Sequence, residues 1–143
     1  MNKKSILIID DDKDFVHALA QRCQHIGLEV RKAHNAFSAL HKMDRELPDL
    51  VCLDVNMPTG CGLTICEMMS DDENACRVPV IILTGKQDID TVRHCRKLCA
   101  YYVHKSPGMW NRLEPVIYEL VDIERPEPSK SCHESGQLRL DGK

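Results

Sequence analysis

Five short aliphatic runs punctuate the chain, at residues 5–9, 28–33, 50–54, 80–83 and 101–104. Each has the length of a strand. ILII, LVCL and VIIL lack the alternation of polar and apolar positions that a half-exposed sheet would show, so they predict strands covered on both faces.

Between the runs the apolar spacing changes to three and four. Phe15, Ala18, Leu19, Arg22, Cys23 and Ile26 predict a helix with one mostly buried stripe, closed by Gly27 as a C-terminal stop. Ala36, Ala39, Leu40, Met43 and Leu47 predict a second, capped by Asn35 and ended before Pro48. Ile65, Cys66 and Met69 mark a third helix, Ile89, Val92, Cys95 and Cys99 a fourth, and Leu113, Val116, Ile117, Leu120 and Val121 a fifth. Pro115 removes an amide donor from the fifth, which therefore starts close to Asn111 or is kinked.

Strands and helices that alternate over short links predict a five-stranded, doubly wound parallel α/β domain with helices on both faces of the sheet. After Glu124 the sequence turns to RPEPSKSCHESGQLRLDGK, with no apolar period. Residues 1–124 are thus expected to fold as one domain and residues 125–143 to form a flexible tail or linker.

The composition narrows the classes of function. A chain of 143 residues with 43% hydrophobic content can bury a real core, and a net charge of −3 gives no broad basic footprint, so direct nucleic-acid binding is not expected. No run approaches the roughly 20 apolar residues of a membrane span, and the start MNKKSILIIDDD lacks the pattern of a secretory signal. A soluble, cytoplasmic protein without a membrane partner is expected. The 8 cysteines fall largely on apolar faces, where a reduced thiol packs as a small hydrophobe. Cys95 and Cys99 beside His94 raise the question of zinc, but no second ligand pair stands at a recognisable spacing, so a structural zinc site is not expected.

Chemistry gathers at the strand ends. The first strand runs straight into Asp10, Asp11 and Asp12, three adjacent carboxylates that repel one another. A solvated turn with a helix cap is one reading, and a cradle for a hard cation is the other. The third strand ends in Asp54, the fourth leads into Thr84, Gly85 and Lys86, and the fifth into Lys105 and Ser106, while the second ends in Ala33, His34 and Asn35. Singly, such residues are ordinary caps, turns and surface charges. Together they meet at the rim where a doubly wound sheet places its site.

With these residues in place, residues 1 to about 124 resemble the receiver domain of two-component response regulators, a flavodoxin-like, CheY-like fold. IIDDD, LDVNMPTGCG, LTG and YVHK occur in the family's order and approximate spacing. The resemblance implies that Asp54 is the phosphoacceptor, taking a phosphoryl group from phosphohistidine on a sensor histidine kinase or a histidine phosphotransfer protein. It implies that Asp10, Asp11, Asp54 and the backbone carbonyl of Asn56 organise Mg²⁺, directly or through water, with Asp12 left as the cap of the following helix. Lys105 would pair with Asp54 and then with the phosphoryl oxygens. Thr84 and Tyr102 would form the switch, and Asn56 and Lys86 would influence how long the phosphoryl group survives. The output surface would comprise the fourth helix, the fifth strand and the fifth helix, around residues 92–99, Tyr102 and residues 113–120. A downstream protein, an effector domain or a second copy of the chain would bind there.

Four positions depart from the family's pattern. Ser106 stands where Pro usually follows the Lys, Leu98 and Cys99 replace the common Gly-Ala, and Gly85 replaces the common Ala. Two other functions share parts of this pattern. A phosphatase of the haloacid dehalogenase type carries its nucleophile after the first strand and a second Asp two positions later, where this chain has Asn56. A receiver fold used only as an interaction module, without phosphotransfer, would have no use for mutually repelling acids. A turnover enzyme is not expected.

Overall fold

The computed structural model describes residues 3–57, 60–85, 93, 97 and 101–124. The elements run β1 (Ser5–Ile9), α1 (Lys13–His25), β2 (Glu29–Ala33), α2 (Ala36–Arg45), β3 (Leu50–Leu53), β4 (Asn56–Met57), β5 (Gly60–Cys61), α3 (Gly62–Asp71), a 3-10 turn (Ala75–Arg77), β6 (Val80–Thr84), β7 (Tyr101–His104) and α4 (Met109–Leu120). Five strands form one parallel sheet in the order β2-β1-β3-β6-β7. The expected doubly wound α/β architecture is therefore the one observed. The short strands β4 and β5 form a separate antiparallel ribbon beyond β3, which no aliphatic run announces.

The unbroken aliphatic runs explain the centre of the sheet. Every residue of β1, β3 and β6 is buried, whereas the edge strands β2 and β7 are covered only in part. Alternate residues feed two cores. Ile6, Ile8, Cys52, Ile81 and Leu83 pack with α1 and α4, and Leu7, Ile9, Val51, Leu53 and Ile82 pack with α2 and α3. Each such aliphatic side chain contributes about 1.5–3 kcal/mol of burial. Because both faces need apolar cover, a one-residue slip of register would leave the cores intact in kind but move the polar strand ends apart.

Two helices carry the caps that the sequence predicts: Asp12 accepts the amide of Phe15 and Asn35 that of Ser38. The buried stripe of α1 is shifted from the expected one. Val16, Leu19, Ala20 and Cys23 are buried, while Ala18 and Arg22 are exposed and line a groove against the start of α4. Arg22 stacks there on Trp110, 5.6 Å from the ring centroid. Helix α4 begins at Met109, two residues before Asn111, and carries Pro115 inside it at an exposed position. The fourth helical pattern, with Ile89, Val92, Cys95 and Cys99, lies outside the described residues, as do Lys86, Leu98 and residues 125–143. Among the described residues no helix is long and apolar enough to cross a membrane.

Candidate functional site

Strand order reverses at β1, which lies between β2 and β3, and the connections on either side run away from one another. That opens a crevice at the carboxyl edge. Register brings the polar strand ends to it together: Ile9 pairs with Leu53, Leu53 with Ile82, and Thr84 with His104. Asp10, Asp54 and Lys105 each lie one residue past their strand, and Thr84 is the last residue of its own.

Backbone hydrogen bonds fix these residues. The amide of Asp10 donates to the carbonyl of Ala33 at 3.0 Å, that of Asp54 to Ile9 at 2.9 Å, and that of Lys105 to Thr84 at 3.0 Å. The Asp10 carboxylate is buried, accepting the amide of Asp12 on Oδ1 at 3.0 Å and Lys105 Nζ on Oδ2 at 2.6 Å. Lys105 Nζ also donates to Asp54 Oδ2 at 3.4 Å. The expected pairing of Lys105 with Asp54 is present, but the tighter partner is Asp10.

Carboxylate oxygens of Asp10, Asp11 and Asp54 lie within 4.8 Å of one another, with Asp11 exposed and the other two buried. Burial pushes the Asp10 carboxyl above its ordinary value, against the Lys105 ammonium and the Asp12 amide, which pull it down; the charge on Asp54 adds to the rise. Three carboxyl groups thus gather around one ammonium. Oxygen donors that can all point at one atom fit a hard divalent cation such as Mg²⁺, which needs few protein ligands because it keeps several waters. Asn56 begins the ribbon two residues past Asp54.

Thr84 is fully buried, and Tyr102 is half-buried, packing on the α2–α3 side of the sheet. Four residues at the site carry roles that the sequence did not suggest. His34 Nδ1 donates to the carbonyl of Asp10 at 3.1 Å, and His104 Nε2 to that of Gly85 at 3.2 Å. Arg112 donates to the carbonyl of His104 at 2.9 Å and to Ser106 Oγ, so it grips the residues on both sides of Lys105. Ser106, which departs from the family's Pro, therefore supplies a hydroxyl to the clamp; no peptide among the described residues is cis. Phe15 lies under the ammonium, 4.1 Å from Lys105 Nζ to its ring centroid. Only its place three residues after the Asp12 cap could have signalled it.

An open α/β sheet with carboxylates and an ammonium converging at its switch point has the architecture of doubly wound α/β domains that carry their site at the carboxyl edge. The sequence profile of the response regulator receiver domain matches residues 6–109, and the chain belongs to this family of two-component signalling proteins. It is 34% identical over 142 residues to the alkaline phosphatase synthesis transcriptional regulatory protein PhoP of Bacillus subtilis, covering 96% of this chain and 58% of that protein. The chain spans about three fifths or less of the length of the curated relatives it matches. Among solved structures it is similar to the signal receiver domain of a DNA-binding response regulator from Colwellia psychrerythraea, with 32% identity and a TM-score of 0.77 over 83% of this chain and 98% of that one. It is also similar to a response regulator from Burkholderia pseudomallei with a phosphorylated aspartic acid and a calcium ion, at 27% identity and a TM-score of 0.70 over 83% and 67% of the two chains.

Proposed function

We propose that the chain is a phosphoacceptor switch in which Asp54 takes a phosphoryl group from phosphohistidine on a sensor histidine kinase or a histidine phosphotransfer protein. The observation that carries this reading is the convergence of Asp10, Asp11, Asp54 and Lys105 at the switch point of the sheet. The phosphorylated aspartic acid and calcium ion of the Burkholderia pseudomallei structure are in keeping with it.

A carboxylate attacks a charged phosphoryl group poorly unless cations offset the three equatorial oxygens of a loose transition state. Lys105 supplies one such cation. Asp10, Asp11, Asp54 and the carbonyl of Asn56 would hold Mg²⁺, whose bound charge neutralises the phosphoryl oxygens. An oxygen of Asp54 forms the new bond to phosphorus as the P–N bond to the donor imidazole breaks, and the electron pair leaves with the imidazole nitrogen. Asp54 then carries added negative charge and acceptor oxygens. Lys105 turns to those oxygens, and Thr84, one strand away, offers its hydroxyl.

The shift of Thr84 is passed to Tyr102 on the adjoining strand and re-forms the surface for a downstream protein, an effector domain or a second copy of the chain. Moving such an equilibrium from 1:99 to 99:1 takes about 5.5 kcal/mol of differential interaction. The protein acts in the cytoplasm as a signalling element, with residues 1–124 as the receiver and 125–143 as a tail or linker.

The test is uptake of phosphoryl from acetyl phosphate, read by intact mass. Uptake is expected with Mg²⁺, not with chelator, and not in Asp54→Asn. Equal uptake by Asp54→Asn and the wild type would remove Asp54 from its role.

A further inference from the structure

Contacts close a ring around the Lys105 ammonium. Asp12 accepts the amide of Phe15 at 3.1 Å, and its own amide donates to Asp10 Oδ1 at 3.0 Å. Asp10 Oδ2 receives Lys105 Nζ at 2.6 Å, and that ammonium lies 4.1 Å from the centroid of the Phe15 ring. An ammonium has three N–H donors and no acceptor. Here it meets two carboxylates and one aromatic face.

We propose that Phe15 is a positioning residue for Lys105, its ring face holding the ammonium over the Asp10–Asp54 carboxylates; its consequence for phosphoryl uptake rests on the phosphoacceptor reading above. A ring face attracts a cation through its quadrupole without offering a directed lone pair. It therefore keeps the ammonium close yet lets it turn from Asp10 towards incoming phosphoryl oxygens. A third carboxylate in the same place would compete for the protons that the phosphoryl group needs. The ring also keeps water off one side of the ion pairs, which strengthens both. Its root is held as well, because Phe15 is the third residue of α1 and its amide is the one that the Asp12 cap engages.

Phe15 also packs against the α1–α4 core, so a purely structural role has to be separated from a hold on Lys105. Phe15→Leu keeps an apolar side chain and removes the ring, and Phe15→Tyr keeps both. In protein free of metal and donor, the ε-methylene protons of Lys105 are expected to be shifted upfield by the ring current, to stay so in Phe15→Tyr, and to return to ordinary lysine positions in Phe15→Leu. With Mg²⁺ and acetyl phosphate, the rate of uptake is expected to fall about fivefold in Phe15→Leu and to hold in Phe15→Tyr. Adding Phe15→Leu to Lys105→Met is expected to cause no further fall, which a packing defect would not mimic. Should Phe15→Leu fail to fold, Phe15→Met carries the same readouts. No ring-current shift, or an equal fall in both backgrounds, would overturn the proposal. Failure of the phosphoacceptor reading looks different: the wild type then takes no label, while a ring-current shift lost in Phe15→Leu still upholds the hold on Lys105.

Discussion

Lys105 leans towards the more deeply buried of its two acids, at 2.6 Å from Asp10 against 3.4 Å from Asp54. The proposed acceptor is thus held more loosely than its neighbour. Asp10 is the strained member of the cluster, because burial raises its carboxyl above the ordinary 3.8 despite two favourable partners. A raised folded value means that the folded state binds the proton more tightly than the unfolded chain does. The resulting stability is complete below 3.8 and is lost as the pH climbs through the raised folded value. Above that value the Asp10 carboxylate therefore weighs against the metal-free fold. Asp10→Asn is expected to melt above the wild type in chelator. Mg²⁺ at a hundred times its dissociation constant should stabilise the wild type by about 2.7 kcal/mol and the variant much less. Melting curves with and without Mg²⁺ check both, and a variant that melts lower in chelator contradicts the account. The acids themselves were legible in the sequence because three adjacent carboxylates after a buried strand have few uses. The preference of Lys105 for Asp10 was not, since it depends on side-chain reach across two neighbouring strands.

At the scale of elements, α1 shows what spacing leaves undecided. Phe15, Ala18 and Arg22 satisfy the helical period as well as Val16, Ala20 and Cys23 do, and the packing of α1 on the sheet decides which set is buried. Where Trp110 meets Arg22 beside the start of α4, Ala18 and Arg22 line a groove and Phe15 is only partly covered, while the second set enters the core. Leu19→Ala is accordingly expected to cost about 2–5 kcal/mol, and Ala18→Ser to stay within about 0.5 kcal/mol. Removing the cap of α2 with Asn35→Ala should cost about 1 kcal/mol. Denaturant melts of the three variants check the order, and a large loss at Ala18 would return it to the core. Strands β1, β3 and β6 were legible because a run of aliphatic residues has no comfortable place outside a two-sided sheet. The ribbon of β4 and β5 was not, because its residues carry no period.

At the scale of the molecule, covering the sheet on both faces sends Cys23, Cys52 and Cys66 into the cores. Cys23, Cys52 and Cys66 are buried, and Cys76 is exposed. Burial pushes the Cys23 thiol up to about 12 and Cys52 well above its ordinary value. In the native protein Cys76 should react with a thiol reagent, and Cys23, Cys52 and Cys66 should react only on unfolding, even at mildly alkaline pH. Peptide mapping after labelling checks this, and early labelling of Cys52 would contradict the two-sided cover. Removing residues 125–143 is expected to leave the melting temperature nearly unchanged, because that composition can bury little surface. A fall of many degrees would show the segment docked on the domain. The proposed switch stands on one bond, an acyl phosphate formed at Asp54. Borohydride reduces an aspartyl phosphate to homoserine, so treating the Mg²⁺- and acetyl phosphate-loaded protein and sequencing its peptides locates the acceptor directly. Homoserine at position 54 and nowhere else is the predicted result, and homoserine at position 10, 11 or 12, or at none, contradicts it.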